Sequence, residues 1–336
     1  MNKESKGTHD YLDDPRNSEV LVYVNGDFVP RQDAKISVFD SGFLLGDGVW
    51  EGIRLHNGKL LFLAEHLERL FWGASKIDMD LGKTLGEITD ILYDTIIKNE
   101  MFDGVHLRLI VSRGIKSTPY QDPSFTISKP SIVVIPEYKL PSPDIQKTGL
   151  KLVSVNTIRG SENIQDHRIN SLSKFNCIQA CIEAKRKGGD EGLMLDPHGY
   201  VSTCNSTHFF IVKSGAVWTS TGKYCLGGIT RQNVIDICNS NSIPIYEKNF
   251  TLSEVYEADE AFVTGTFAGI IPIHEIDDHD INILPSDSVV AILQKYYHDL
   301  IGFNMKMGGL ESAVLNIKLK YLKSWNKKRK MIANCL

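Results

Sequence analysis

Three short segments rich in glycine and threonine could hold an anion through their backbone N–H groups. They are Gly46-Asp47-Gly48, Gly227-Gly228-Ile229-Thr230 and Thr264-Gly265-Thr266. Backbone N–H groups at a helix N-terminus bind phosphate, and a threonine hydroxyl adds a further donor. The second segment directly precedes a predicted helix, which is the context such a site requires. Ordinary turns share this composition, and none of the three matches a Walker A or dinucleotide fingerprint.

Two cationic side chains stand out beside these turns. Lys174 begins a predicted helix, KFNCIQACIEAKRKG, whose dipole opposes a positive charge at that end. This placement predicts a lowered pKa, which a lysine needs in order to form a Schiff base with a carbonyl compound. Arg69, in the predicted helix HLERLFWGASKI, could donate to a phosphate group. The alternative interpretation of both residues is a solvated cation on a helix surface.

Hydrophobic patterning and turn signals predict two domains of mixed helix and strand, an α+β fold. Residues 1–18 are polar and are predicted to be a disordered tail. Residues 19–140 are predicted to form a small α/β domain whose hairpins turn at Asn-Gly pairs. A linker at 141–150 then leads to a larger domain at 151–305. Residues 306–336 carry eight lysines or arginines against one acid, and we expect a basic extension there.

The composition excludes several classes of protein. Of 336 residues, 42% are apolar, and the formal net charge of −4 gives no basic field that would indicate nucleic acid. No apolar run reaches the roughly 18 residues of a membrane-spanning helix, and the polar N-terminus does not resemble a signal peptide. The six cysteines lack the spacing of a metal site, which predicts reduced thiols. We therefore expect a cytoplasmic protein with no metal, membrane or nucleic-acid partner.

Five longer segments resemble, in their order and spacing, the class IV (fold type IV) aminotransferases. They are SVFDSGFLLGDGVWEGIRLHNGKLLFLAEHLERL, HLRLIVSRG, DEGLMLDPHGYVSTCNSTHFFIV, GGITRQNVI and AFVTGTFAGIIPI. The resemblance runs from about residue 21 to 300. This family includes branched-chain and D-amino-acid aminotransferases, (R)-amine transaminases and aminodeoxychorismate lyase. It implies a larger C-terminal domain with a barrel-like sheet, pyridoxal 5′-phosphate (PLP) as cofactor, and a homodimer with active sites near the interface.

The resemblance also implies roles for individual residues. By their positions in the family's motifs, the phosphate group of PLP would be held by Arg69, Gly228, Ile229, Thr230, Gly265 and Thr266. The substrate carboxylate would lie at the turn of Phe267 and Ala268, and Arg108 would face an acidic amino donor. Glu51 and Arg54 would lie on the strand that faces the substrate pocket.

One departure from the family concerns the lysine that binds PLP. Aligned without gaps, the family lysine falls on Asn170, and Lys174 follows four residues later. If a helix has begun by Asn170, the two residues share a face about 5–6 Å apart. A lysine side chain can span that distance. The sequence therefore predicts that Lys174 forms the Schiff base from one helical turn further on, or from a locally shifted loop.

The second departure lies at the ring nitrogen of PLP. The family places an acidic residue there, and this chain has Thr203. A carboxylate keeps the pyridine nitrogen protonated and makes the ring a strong electron sink, whereas a hydroxyl does not. We therefore expect weaker stabilisation of a carbanion than in the family.

These observations favour PLP-dependent transamination between an amino acid or amine and a 2-oxo acid, with branched-chain-like specificity implied by the resemblance alone. The expected partners are small amino and keto acids. A PLP-dependent lyase or eliminase on the same fold is the first alternative, because a neutral ring suits β-elimination better. A homologue that binds PLP without turnover is the second alternative, because both the lysine at 170 and the acid at 203 are missing.

Overall fold

The computed structural model describes residues 7–9, 11, 13–142, 144–281 and 287–306. Within these residues the chain forms a six-stranded and a nine-stranded sheet, each packed on its own hydrophobic core. Helices cover both sheets. The predicted α+β class is confirmed.

The first sheet is antiparallel, with strand order β2-β1-β6-β5-β3-β4. Two helices, α2 and α3, pack on it and bury leucine and isoleucine side chains that recur at helical spacing. The elements of this unit are β1 (Leu21–Val24), β2 (Asp27–Pro30), α1 (Ser41–Leu45), β3 (Gly48–His56), β4 (Lys59–Leu60), α2 (Leu63–Lys76), α3 (Leu85–Lys98), β5 (Val105–Ser112) and β6 (Ser131–Tyr138).

Local sequence explains two of these boundaries. The turn between β1 and β2 is Asn25-Gly26, whose φ angles of 52° and 116° suit a two-residue hairpin. Helix α3 begins with a capping box, in which the Thr84 side chain accepts from the Glu87 N–H and the Glu87 carboxylate accepts from the Thr84 N–H. Both signals act within a few residues and therefore do not depend on the rest of the fold.

Strands β3 and β5 determine which side chains of the first sheet point toward the nine-stranded sheet. Successive residues of a strand point to opposite faces, so Ile53 and Leu107 enter the core while Gly52 and Arg108 face away from it. Gly52 pairs with Arg108 in the β3–β5 register. A Cβ at Gly52 would lie 2.9 Å from the His106 ring, so this position requires glycine.

The nine-stranded sheet has the order β12-β11-β10-β13-β14-β7-β8-β9, with β15 paired to β14, and it curls into a half-barrel. Helices α6 and α8 pack together on one of its faces. The elements are α4 (Ile145–Thr148), β7 (Leu150–Ser154), α5 (Phe175–Arg186), β8 (Glu191–Leu195), β9 (Val201–Cys204), β10 (His208–Lys213), β11 (Ala216–Thr219), α6 (Ile229–Ser240), β12 (Ile245–Glu247), α7 (Leu252–Tyr256), β13 (Glu260–Gly265), β14 (Gly269–Ile276), β15 (His279–Asp280) and α8 (Val289–Lys306).

The ends of the predicted domains differ in detail from the structure. Residues Pro15–Ser18 form a 3-10 helix, where the sequence predicted a disordered tail. The Asn17 amide donates to the Tyr138 carbonyl at 2.9 Å, which holds this helix against β6. The predicted linker at 141–150 contains helix α4 and the first residue of β7. The predicted basic extension, beyond Lys306, lies outside the described residues.

Candidate active site

A cavity of about 310 Å³ is lined by residues of both sheets. Strands β3 and β5 supply one side, and the start of α6 and the β13–β14 turn supply the other. All eleven residues that the sequence predicted for the site line this cavity, namely Arg69, Arg108, Lys174, Thr203, Gly228, Ile229, Thr230, Gly265, Thr266, Phe267 and Ala268. Their binding roles stay predictions, but the fold brings them together.

Lys174 directs its amine into this cavity. Its Nζ donates to Asn170 Oδ1 at 3.0 Å and lies 5.4 Å from the centre of the Trp50 ring. Burial is the main cause that lowers the pKa of Lys174 to about 8, and the positive charges of Arg159 and Arg69 act in the same direction. The sequence predicted this direction from the helix dipole, whereas desolvation is the dominant cause in the structure.

The sequence offered two ways for Lys174 to reach the site, a helix that had begun by Asn170 or a locally shifted loop. In the structure α5 begins at Phe175, and Ser171 instead forms a β-bridge with β3. The backbone N–H of Trp50 donates to the Asn170 carbonyl at 3.0 Å, so Asn170 is held against that strand. The shared helical face is therefore the wrong explanation. The extended segment turns into α5, and this turn returns the Lys174 side chain to Asn170.

Arg69 is held in place by the buried carboxylate of Glu51. Its Nε and Nη2 donate to the two carboxylate oxygens at 2.8 and 2.6 Å, and its Nη1 donates to the Gly227 carbonyl at 2.7 Å. His66 Nδ1 also lies 2.7 Å from Glu51. Burial opposes ionisation of Glu51, but Arg69 and His66 outweigh it and keep the pKa of Glu51 below its ordinary value. The pair fixes the Arg69 guanidinium beside the start of α6.

Glu51 and Arg54 lie on β3, which lines the cavity through Trp50 and Gly52, but the Glu51 side chain points to the other face of this strand. That side chain is fully buried on the core face of β3, beneath Arg69. Arg54, on the other face, lines a neighbouring cavity of about 500 Å³ and donates to the Lys139 carbonyl at 2.8 Å. Strand alternation explains this difference, because Glu51 and Arg54 are three residues apart on β3 and therefore point to opposite faces.

The N-terminus of α6 presents free backbone donors to the cavity. Its cap residue is Gly228, which has no side chain. The N–H groups of the first turn, which includes Ile229 and Thr230, therefore receive no hydrogen bond from a capping side chain. A Cβ at Gly228 would lie 2.2 Å from the His208 ring, which explains the glycine. Burial lowers the pKa of His208 to about 3, and its neutral Nε2 lies 2.6 Å from the Leu226 carbonyl. This end of the cavity is suited to an anion.

The charge of the lining residues agrees with that inference. No carboxylate of the part of the chain that the structure describes lines the cavity, whereas Arg69, Arg108, Arg159 and Lys174 do. The hydroxyl of Thr264, beside the Gly265–Thr266 turn, is buried without a hydrogen-bond partner. A buried polar group without a partner is costly and often marks a position where a ligand supplies the bond. The cavity can therefore bind a phosphate or carboxylate group by both charge and hydrogen bonds.

Thr203 is buried on β9, and its hydroxyl proton is already used. The Oγ1 of Thr203 donates to the Thr207 carbonyl at 2.7 Å, which leaves only lone pairs for another partner. Thr207 in turn donates to the buried carboxylate of Glu191 at 2.7 Å. Burial raises the pKa of Glu191 above its ordinary value, although its hydroxyl partners act in the opposite direction. Toward the cavity, the Thr203 hydroxyl can therefore only accept a hydrogen bond.

The end of the cavity away from α6 is formed by aromatic and basic side chains. The guanidinium of Arg108 lies 4.1 Å from the centre of the Trp50 ring. Phe267 contacts the edge of His106, with ring centres 5.6 Å apart. Burial lowers the pKa of His106 well below its ordinary value, and its Nδ1 has no hydrogen-bond partner. This end offers one buried cation and a neutral ring nitrogen to a polar ligand.

Several residues of the cavity were not found from the sequence. Arg159 donates to Asn176 Oδ1 at 3.0 Å and to Cys177 Sγ at 3.2 Å beside Lys174. Strand alternation alone could have identified Trp50 and Gly52, because they share one face of β3. No local signal identifies the remaining ones, since they come from distant parts of the chain. The missed lining residues include Thr8, His9, Trp50, His106, Arg159 and His208.

Among the described residues, no helix is long and apolar enough to cross a membrane. These residues also contain no group of three or more His, Cys, Asp or Glu side chains that could hold a metal ion.

Comparison with known proteins gives matches to two family models and to several related proteins. The family model for amino-transferase class IV matches residues 48–276, and the model for the DegT/DnrJ/EryC1/StrS aminotransferase family matches residues 275–336. Branched-chain-amino-acid aminotransferase-like protein 1 of Arabidopsis thaliana is 37% identical over 286 residues, which are 85% of this chain and 51% of that protein. The chain thus spans about half the length of this relative.

Two other matches cover nearly all of the related chain. A putative branched-chain-amino-acid aminotransferase of Methanocaldococcus jannaschii is 36% identical over 83% of this chain and 96% of its own length. The crystal structure of the branched-chain aminotransferase from Thermoproteus uzoniensis with norvaline superimposes with a TM-score of 0.74 at 29% identity. That match covers 83% of this chain and 93% of the other.

Proposed function

Because the chain belongs to the class IV aminotransferases, we propose that it is a PLP-dependent transaminase in which Lys174 binds the cofactor covalently. The observation that carries this proposal is the position of Lys174 Nζ, 3.0 Å from Asn170 Oδ1 inside the cavity. The sequence aligns the family lysine with Asn170, and the amine of Lys174 lies beside the Asn170 side chain.

The cavity residues fit PLP. The phosphate group would be held by Arg69, by the first-turn N–H groups of α6 and by the Thr266 turn, a set of donors with no opposing carboxylate among the described lining residues. Thr203 would face the ring nitrogen only as an acceptor, because its own proton is donated to Thr207, so it would pair with that nitrogen only while the nitrogen carries a proton. When bound, PLP supplies an electron sink for the electrons released at the substrate Cα.

Lys174 is suited to both covalent binding and proton transfer. With a pKa of about 8, about 10% of its amine is neutral at pH 7, against about 0.03% for an ordinary lysine. A neutral amine can attack a carbonyl carbon. The same Nζ can accept the proton of the substrate Cα as a general base and return it as a general acid.

The proposed substrates are an amino acid and a 2-oxo acid, with branched-chain-like specificity. The turn at Phe267 and Ala268 would hold the substrate carboxylate through its backbone N–H groups. Arg108 supports an acidic second substrate, because it is a largely buried cation at this end of the cavity. The names of the related proteins support the branched-chain assignment, which assays with valine, leucine, glutamate and alanine would test.

We also propose that the protein is a cytoplasmic homodimer. Four large apolar residues around α1 support an interface, since Val38, Phe39, Phe43 and Leu45 are 65%, 45%, 67% and 42% exposed. They adjoin the segment before Lys174, because a Cβ at Gly46 would lie 3.2 Å from Ser173. Sedimentation of the full chain and of Phe43→Ser tests this proposal, which predicts a dimer for the first and a weakened dimer for the second.

A borohydride trap tests the assignment of Lys174. The holoenzyme is reduced and digested, and the labelled peptide is mapped. We expect the label on Lys174, no label in Lys174→Ala, and an unchanged label in Lys187→Ala at the other end of α5. Bound PLP without a reducible lysine adduct would contradict the proposal and would favour a homologue without turnover.

One observation favours a second candidate, a PLP-dependent lyase. Thr203 provides a hydroxyl where the family has a carboxylate, and a weaker electron sink suits β-elimination. The two reactions differ in their need for an amino acceptor. Release of ammonia and a keto acid without any added 2-oxo acid would support the lyase, and strict dependence on the 2-oxo acid would support the transaminase.

A further inference from the structure

The N-terminal strap, defined as residues 7–9 and 11, crosses the edge of the cavity. At one end Gly7 lies next to the Asp190 carbonyl, directly before β8. At the other end Tyr11 forms an antiparallel β-bridge with Pro141, and Lys139 Nζ lies 4.5 Å from the Tyr11 ring centre. The strap therefore runs from the half-barrel to the connection between the two sheets.

Thr8 anchors the strap to the base of the cavity. Only 5% of Thr8 is exposed, and its hydroxyl donates to the carboxylate of Glu191. Glu191 also accepts from Ser206 and Thr207, each at 2.7 Å. Because Ser206 and Thr207 line the cavity, this shared carboxylate ties the strap to the cavity wall.

His9 follows the anchor and presents its ring to the cavity. The ring is stacked on Phe267, with centres 5.9 Å apart and planes 14° apart. His9 is exposed as a residue, but desolvation of its ring by the surrounding protein, together with Lys139 and Arg108, lowers the pKa of His9 to about 4. The neutral imidazole is thus one of the surfaces that line this end of the cavity.

We propose that His9 forms one wall of the substrate end and limits the size of the amino-acid side chain that fits there. The cavity keeps about 310 Å³ with the strap in place, so the strap encloses the space and does not fill it. Phe267 belongs to the turn assigned to the substrate carboxylate, and a ring stacked on Phe267 therefore lies beside the bound substrate. Thr8 is a positioning residue that acts through Glu191. This inference rests on the proposed function.

The kinetic test compares variants of the full chain on donors of increasing size, from alanine and valine to phenylalanine. In His9→Ala we expect kcat/KM for phenylalanine, relative to valine, to rise at least tenfold. His9→Phe keeps a ring of similar size and should keep this ratio within threefold of the wild type or below it. His279→Ala is the matched control, because His279 is exposed and stacks on Tyr256 away from the cavity. A ratio in His9→Ala within threefold of the wild type overturns the proposal.

The role of Thr8 has a separate readout. In Thr8→Val the ratio should rise as in His9→Ala, through KM more than kcat, because the wall is released while the chemistry remains. NMR titration between pH 5.5 and 7.5 should show a neutral His9 in the wild type. In Thr8→Val the same ring should titrate near its ordinary value of about 6.5. A wild-type His9 that already titrates near that value refutes the seated strap.

The proposed transaminase activity and the proposed role of His9 are refuted by different results. A missing label on Lys174 refutes the transaminase and, with it, the contact of His9 with substrate. A labelled Lys174 with a His9 that titrates in the wild type refutes the strap alone.

Discussion

Replacing Glu51 by glutamine tests whether the Arg69 guanidinium is held by the buried carboxylate. The carboxylate is fully buried and accepts two hydrogen bonds from Arg69, at 2.8 and 2.6 Å. His66 Nδ1 lies 2.7 Å from the same group. The glutamine amide keeps one acceptor oxygen. Its NH₂ group, however, faces N–H donors that the second carboxylate oxygen of Glu51 had accepted from. Arg69 then carries a charge that its surroundings no longer compensate.

The expected loss can be estimated in two ways. Removing one partner of a buried ion pair costs about 3–5 kcal/mol. Each hydrogen bond to a charged group contributes roughly 1.5–3 kcal/mol, and the amide weakens at least one and at most two of the bonds from Arg69. The two estimates overlap at a loss of about 3–5 kcal/mol in the free energy of unfolding for Glu51→Gln. The affinity for PLP should fall as well, because Arg69 no longer has a fixed position beside α6.

Urea unfolding of the apoprotein and fluorescence titration with PLP measure the two effects. The matched control is Glu68→Gln, which removes the exposed carboxylate next to Arg69 in sequence. Its unfolding free energy should stay within about 0.5 kcal/mol of the wild type. A loss below about 1 kcal/mol in Glu51→Gln, or equal losses in both variants, would show that Glu51 does not hold Arg69.

Three other predictions concern protonation and packing. The yield of the borohydride-trapped Lys174 adduct, measured in brief reactions with PLP, should rise with pH through about 8, and an inflection above 10 would contradict the burial of its amine. Gly228→Ala should weaken PLP binding and destabilise the fold by about 1–3 kcal/mol, as thermal unfolding would measure, because its Cβ would lie 2.2 Å from the His208 ring. Because the pKa of Glu51 is lowered on folding, its contribution is present above its unfolded pKa and is lost as pH falls through the folded value. The stability difference between wild type and Glu51→Gln should therefore shrink in acid, and a difference that is constant from pH 7 to pH 3 would refute this linkage.

The sequence by itself determined the features that depend on short stretches of chain. The Asn25-Gly26 hairpin and the capping box at Thr84 act within four residues, so their signals survive in any context. The glycine at 228 before a helix likewise predicts an anion site from local sequence. The linear order of such motifs sufficed to predict eleven of the residues that line the cavity, because the family resemblance carried their spacing.

Only the tertiary structure decided how Lys174 reaches the site and which residues surround it. One prediction from the sequence was that Lys174 and Asn170 share a helical face. The segment before Lys174 instead pairs with β3, so α5 begins only at Phe175. The lowered pKa of Lys174 comes mainly from burial, which depends on both sheets closing around its amine. Thr8 lies 183 residues from its partner Glu191. Contacts over such separations leave no trace in local periodicity, since they form only when the whole chain folds.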